Sequence, residues 1–179
     1  MAQPERIAAL RIRLLVTTCL GLAGAVAFIV LYWVFSGSLE DIETIYAGVV
    51  FALIVGGIAQ LARRSRPTLA AWLLVGLLFL LITLDALAYG VGTPAAAAYV
   101  IPILLAAFCL GFWPSLSVAV AGTASSWLAA WLQTSGAYGQ PPADISQLTF
   151  NAPVLTAILL VSGAMAGSWA GHLEKIIRQ

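Results

Sequence analysis

TPAAAAYVIPILLAAFCLGFWPSLSVAVAGTASSWLAAWLQ (residues 93–133) contains no charged side chain. Two apolar runs flank Gly111-Phe112-Trp113-Pro114, a cluster of turn formers that leaves room only for a tight reversal. The first run carries Pro102 near its start, and the second is rich in small residues. Such a hairpin has no polar face to turn toward water, so its solvent must be lipid. The charges of the chain lie on either side of it.

The whole sequence agrees. Of 179 residues, 62% are hydrophobic and 8% charged, where a soluble domain carries about 25% charged residues. Mean hydropathy is +1.03. The net charge of +1 gives no electrostatic case for nucleic-acid binding. The length suits one domain, residues 1–179.

A bilayer core of about 30 Å needs roughly 20 apolar residues per helix. Six segments meet or approach this: residues 14–35, 45–62, 68–89, 95–112, 115–133 and 150–171. Backbone groups in lipid must be paired within their own segment, and no porin-like alternation is present, so the expected fold is all-α, a six-helix transmembrane bundle. The first segment is 22 residues long and ends in Tyr32-Trp33. A signal-peptide core of roughly 7–15 residues with a small-residue cleavage site does not fit it, which leaves a true membrane helix.

The eight basic residues fix an expected orientation. Arg6, Arg11 and Arg13 precede helix 1; Arg63, Arg64 and Arg66 lie between helices 2 and 3; Lys175 and Arg178 follow helix 6. With six crossings these clusters share one side. The opposite loops hold Glu40, Asp41, Glu43 and Asp144 and no base. The positive-inside rule then predicts both termini in the cytoplasm of a bacterial inner membrane protein. Tyr32, Trp33, Tyr46, Tyr89 and Trp131 fall at predicted outer ends, and Trp72, Trp113 and Trp169 at inner ends, as an interfacial aromatic belt requires. The longest connection, residues 134–149, faces outside as either a lid or a linker.

Small residues mark expected helix contacts. Gly163, Gly167 and Gly171 recur at four-residue spacing in helix 6, Gly48, Ala52 and Gly56 in helix 2, and Gly122, Ser126 and Ala130 in helix 5. Such stripes let backbones approach closely where lipid gives no hydrophobic drive. The helix 6 stripe is the candidate face for close packing within the chain or in a homodimer.

Chemistry-bearing residues are few. Asp85 is the one ionisable group well inside a predicted span, and an intramembrane carboxylate marks a ligand site or pathway by default. Tyr89 at the boundary offers the plainer alternative that Asp85 reaches interfacial water. Its expected neighbours are Thr83, Tyr89 and Tyr99, with Asn151 across an outer-half cavity. Gln60, Thr123, Ser125, Ser126, Gln133, Asn151 and Thr156 are expected to hydrogen-bond between helices. Cys19 and Cys109 read as small buried residues, and His172 as an interfacial one. No nucleophile–base pair, paired carboxylates, metal-ligand spacing or phosphate loop is present in the sequence, so no enzymatic activity, cofactor or metal is expected.

The stretch Tyr99-Val-Ile-Pro-Ile-Leu-Leu-Ala-Ala-Phe-Cys-Leu-Gly-Phe-Trp-Pro-Ser-Leu-Ser-Val-Ala-Val resembles the multi-span membrane input domains of bacterial sensor histidine kinases and diguanylate cyclases. The Arg-Pro-Thr-Leu-Ala-Ala-Trp entry to helix 3 and the His-Leu-Glu-Lys-Ile-Ile-Arg exit from helix 6 are similar too. The resemblance implies a sensor of a small or lipophilic ligand or of membrane state. Residues 172–179 would begin a cytoplasmic signalling helix toward an output domain or partner protein. Residues 1–179 hold no phosphoacceptor-histidine segment, ATP-binding segment or GGDEF signature, so the expectation is an input domain without its output module. Two other readings stand beside it. Six helices with an Ile-Pro then Gly-x-x-Pro hairpin also resemble the substrate-binding subunits of energy-coupling-factor transporters, although there the hairpin comes early. An accessory subunit of a larger membrane complex is the third.

Overall fold

Lipid-compatible composition produces helices wherever the chain is described. A computed structural model describes the backbone of residues 3–36, 42–64, 66–89, 97–135 and 145–178; within these, side chains are described except at 3–8, 29, 32–36, 42–45, 89, 145–152 and 173–178. Six α-helices and no strand occur among the described residues: α1 Gln3–Ser36, α2 Ile42–Arg64, α3 Pro67–Tyr89, α4 Val100–Leu110, α5 Phe112–Thr134 and α6 Ile145–Arg178. The acidic loop around Glu40 and Asp41, the Gly90–Pro94 connection and most of the 134–149 loop lie outside the described residues.

Five helices contain stretches long and apolar enough to cross a membrane: Ala9–Phe28, Tyr46–Arg64, Pro67–Ala88, Phe112–Thr134 and Pro153–His172. Exposed side chains on them are largely leucine, valine, isoleucine and aromatic, with Phe28 72% and Leu53 70% exposed. The residues turned inward are small, such as Ala62, Ala70, Ala119 and Ala129. This distribution is the reverse of a soluble bundle and places the protein in a membrane.

The fourth predicted span, residues 95–112, differs. Its helix is α4, an 11-residue element. At 1.5 Å per residue that is about 16 Å, half of a bilayer core of about 30 Å. Two local causes set its ends. Pro102 occupies the first turn, where a missing N–H costs no helical bond. Gly111 ends the helix at φ 105°, a left-handed backbone that glycine adopts without a Cβ clash. Its N–H closes the helix onto the carbonyls of Ala106 and Ala107, and α5 starts at the next residue.

The chain divides into two compact units, residues 1–74 and 75–179, with the division inside α3. In the first unit α1 packs on α2. Gly48 meets Val26 and Val30: a Cβ built there would lie 3.0 Å from the Val30 side chain. The buried side chains of Leu15, Cys19, Val55, Ile58 and Ala62 continue the seam.

In the second unit α4, α5 and α6 pack on one another. α5 and α6 run antiparallel: Trp127 meets Thr156, Ala119 meets Gly163, and Phe112 meets Gly167. Glycine makes this approach possible. A Cβ on Gly163 would lie 2.8 Å from the Ala119 methyl, and one on Gly167 would lie 2.7 Å from the Phe112 ring. Ser115 sits fully buried beneath, its hydroxyl directed at the carbonyls of Gly163 (3.2 Å) and Ile103 (3.3 Å). One side chain of α5 thus ties α4 and α6. Gly171 has nothing within 4 Å of its Cβ position.

This geometry orders the glycines of α6. Gly163→Ala and Gly167→Ala should each destabilise the protein by about 1–3 kcal/mol through overpacking. Gly171→Ala should be neutral or slightly stabilising through helix propensity. Thermal unfolding in one detergent checks this; equal effects at all three positions would rule out the α5–α6 approach described.

Candidate functional site

Residues 79–87 of α3 place one stripe inward. Thr83 and Leu87 are partly buried and Ala86 is buried, on the face that also carries Phe79. The helical repeat puts positions i, i+4 and i+7 on one side, so Phe79, Thr83 and Ala86 share a face. Asp85 follows Thr83 by two residues, about 200° around the helix, and is exposed.

Tyr99, in the turn before α4, meets this stripe. Its side chain is fully buried although it carries a phenol. The ring packs on Phe79 with centroids 5.3 Å apart and planes inclined by 53°. On the other side it lies against Gly122 of α5, where a Cβ would come within 3.3 Å of the ring. Glycine at 122 therefore makes the slot that the tyrosine fills.

A buried phenol must be hydrogen-bonded, and here it is. The Tyr99 and Thr83 hydroxyl oxygens are 2.8 Å apart. Thr83 gives its own proton to the Phe79 carbonyl, at 2.8 Å. It can then only accept from Tyr99, which fixes the direction of that bond. Ser125 of α5 makes a second side-chain hydrogen bond to the same phenol. Because the Tyr99 proton is already committed, Ser125 is its donor. A one-way chain results, Ser125 to Tyr99 to Thr83 to the Phe79 carbonyl, joining α3, the entry to α4, and α5.

Tyr99 also reports depth. It lies beside Gly122, ten residues into α5, hence about 15 Å along that helix from the Gly111 turn. The polar chain therefore sits near mid-thickness of the second unit. The Tyr99 backbone keeps right-handed helical angles there, φ −55° and ψ −21°, and protein covers its side chain.

Of the residues the sequence marked, Thr83 and Tyr99 come into contact, and Asp85 lies on a different face of α3. The side chains of Tyr89 and Asn151 lie outside the described residues. Gly163 and Gly167 pack against α5, and Gly171 does not. The expectation of interhelical bonds holds for Ser125 and for Thr156, which accepts from the Trp127 indole at 3.0 Å. It fails for Thr123 and Ser126, whose hydroxyls bond to Ala119 and Gly122 one turn back on α5. That local bond competes well wherever a serine or threonine lies in a helix. Phe79 and Ser115 were not marked. Both are short-range members of apolar runs, and only the placement of Tyr99 and of Gly163 opposite them gives them a role.

Cys19 and Cys109 are buried thiols. Among the described residues no group of three His, Cys, Asp or Glu is gathered as a metal site would need. Comparison with protein-family models, with curated proteins and with solved structures finds no match to this chain.

Interhelical hydrogen bonds in membranes average about 0.6 kcal/mol and reach about 1.7. Tyr99→Phe removes two bonds while leaving Thr83 paired with its own helix, so a loss of about 1–2 kcal/mol is expected. Thr83→Val should cost less than Tyr99→Phe, because Ser125 still reaches the phenol. Asp85→Asn should change stability by no more than about 0.5 kcal/mol, as an exposed substitution does. Denaturation by sodium dodecyl sulfate in mixed micelles measures all three; an Asp85 variant as damaged as the Tyr99 variant would contradict the placement.

Proposed function

We propose that this protein is a membrane-embedded signal-input module of a bacterial inner membrane. It crosses the bilayer six times, with α4 belonging to the fourth crossing, and keeps both termini in the cytoplasm. It senses a small or lipophilic ligand or the state of the membrane in the outer half of the second unit. The response leaves through α6 to a cytoplasmic output domain or partner protein. Residues 1–179 bring no catalysis of their own.

The observation that supports this reading is the continuity of α6. The helix runs from Ile145 to Arg178 as 34 residues, about 51 Å at 1.5 Å per residue. Its contact with the start of α5 is at Gly167. The following 11 residues extend about 16 Å beyond that level and contain His172, Glu174, Lys175 and Arg178. A helix that only needed to cross would end with its partner. One that carries on into charged sequence as the same rigid rod can pass rotation or tilt outward.

The charge pattern supports the orientation, since all three basic clusters share a side if there are six crossings. Asp85, exposed in the outer part of α3, supports a sensing role there, because a carboxylate facing lipid or a ligand is costly to keep. The Tyr99 chain supports a coupling role, since it joins that same part of α3 to the helices that touch α6.

Helical phase tests the proposal. One to four alanines inserted between Gly171 and His172, in a fusion to a histidine-kinase core, turn the downstream helix by about 100° each. Kinase output should vary with phase and return toward the parent at four insertions, near one full turn. Output indifferent to every insertion would remove the signalling reading. A fluorescent reporter active only in the cytoplasm should report when fused after Gln179 and stay dark when inserted at Gln140; light at Gln140 would overturn the orientation.

A further inference from the structure

The arginines of the first unit gather at one end of it. α2 lies antiparallel to α1 with Gly48 opposite Val26 and Val30. Counting outward from that contact brings Arg63 level with Arg13, each about 22 Å away at 1.5 Å per residue. Leu15 and Ala62, both buried, mark the last packed layer below them. Arg64 ends α2, and Arg66 follows directly before Pro67. The Arg66 carbonyl accepts from the Ala70 N–H at 3.0 Å, which fixes it to the first turn of α3. Arg11 lies within one turn of Arg13. Arg11, Arg13, Arg63, Arg64 and Arg66 thus come near one level, where α2 ends and α3 begins while α1 continues outward to Gln3.

Basic residues outnumber acids at this end of the unit: Arg6, Arg11, Arg13, Arg63, Arg64 and Arg66 against Glu5. The acids of this unit are Glu5, Glu40, Asp41 and Glu43. Glu43 is at the opposite end of α2, which starts at Ile42 and runs 23 residues, about 34 Å, to Arg64; Glu5 is in the first turn of α1, on the arginine side, and Glu40 and Asp41 lie outside the described residues. Arg13, Arg63, Arg64 and Arg66 are exposed. Directly below are exposed Leu14, Leu69 and Trp72, an apolar collar with an interfacial indole. Seven of the eight bases in the chain are arginine, whose planar fork matches a phosphate bidentately, as lysine does not.

We propose that this end of residues 1–74 is a binding site for the phosphodiester headgroups of anionic phospholipids. The arginine tier clamps the headgroups, and the collar below holds the acyl chains. Positive-inside topology needs only that these charges stay on one side. Binding further requires that they converge at one depth, above apolar surface, and this is the arrangement seen. The inference rests on the membrane-embedded fold and is independent of the signalling reading.

The test uses the full chain in neutral detergent, titrated with phosphatidylglycerol or phosphatidylcholine, with thermal unfolding and retained lipid by native mass spectrometry as readouts. Phosphatidylglycerol should be retained and raise the unfolding midpoint, and phosphatidylcholine should not. Retention should fall about fivefold for each of R13Q, R63Q, R64Q and R66Q. Lysine at the same positions should restore only part of it. K175Q/R178Q, in the other unit, should retain lipid like the parent. Equal effects of the two lipids, or equal loss in K175Q/R178Q, would overturn the proposal. Stabilisation by inorganic phosphate at the same concentration would also overturn it, because the ligand would then be a soluble anion. Should a variant unfold, salt decides on the parent protein: lipid-dependent stabilisation must weaken between about 0.1 M and 1 M salt, as screening shortens from about 10 Å to 3 Å. Insensitivity to salt would remove the arginine clamp.

Discussion

Lipid is as apolar as leucine, so it cannot push these helices together. Everything in the structure depends on how the helices meet without that push. The contact is made by removing side chains rather than by adding them. Gly163 and Gly167 let α6 lie against Ala119 and Phe112 with no space for a further methyl. Many weak dispersion contacts then form at short range. Once the backbones are this close, Ser115 can reach two carbonyls on two other helices. Among its described residues, the first unit uses the same device at Gly48. Large apolar residues are left to face the solvent, which reverses the soluble rule.

The half-length α4 follows from a related economy. A turn in lipid can leave amides unpaired, so the chain must cover the one at residues 98–99. Tyr99 does this by lying between Phe79 and Gly122 and by handing its proton to Thr83. Pro102 removes one amide that would otherwise need a partner at the start of the helix. At the other end Gly111 turns the chain at once into α5. The hairpin is therefore a short limb and a long limb, and the polar chain through Tyr99 stands where the short limb begins.

Much of this was legible in the sequence, and the division is physical. Hydropathy found α1, α2, α3, α5 and α6, because about 20 apolar residues without charge have few other places to be. Charges at 63–66 marked the end of α2 for the same reason, whereas Arg11 and Arg13 lie inside α1, which begins at Gln3. Spacing identified Gly163 and Gly167 as contact positions, since a four-residue stripe is local information. The start of α4 was not legible: residues 98–99 are as apolar as those after them, and nothing in composition separates helix from turn there. Ser115 looked like any small residue until a carbonyl was placed opposite it. Thr83 and Tyr99 could be paired from their predicted depths, whereas Ser125 could not be told from Thr123 or Ser126, which had a local acceptor available. Asp85 stood out by charge, but charge alone does not say which way a side chain faces.

Pro153 gives α6 a mechanical property. It removes one amide from the helix, and the ten residues from there to Gly163 form a stiff arm of about 15 Å. From Gly167 to Arg178 a second arm runs for 11 residues, about 16 Å. Between them the helix is held against α5 at two glycines and can slide little without a clash. A rod pinned near its middle with nearly equal arms is a see-saw. On the proposed signalling reading, a displacement that breaks the Trp127–Thr156 bond would emerge at the charged arm with similar size and opposite sense, with the methyl-width gap at Gly163 and Gly167 as its fulcrum.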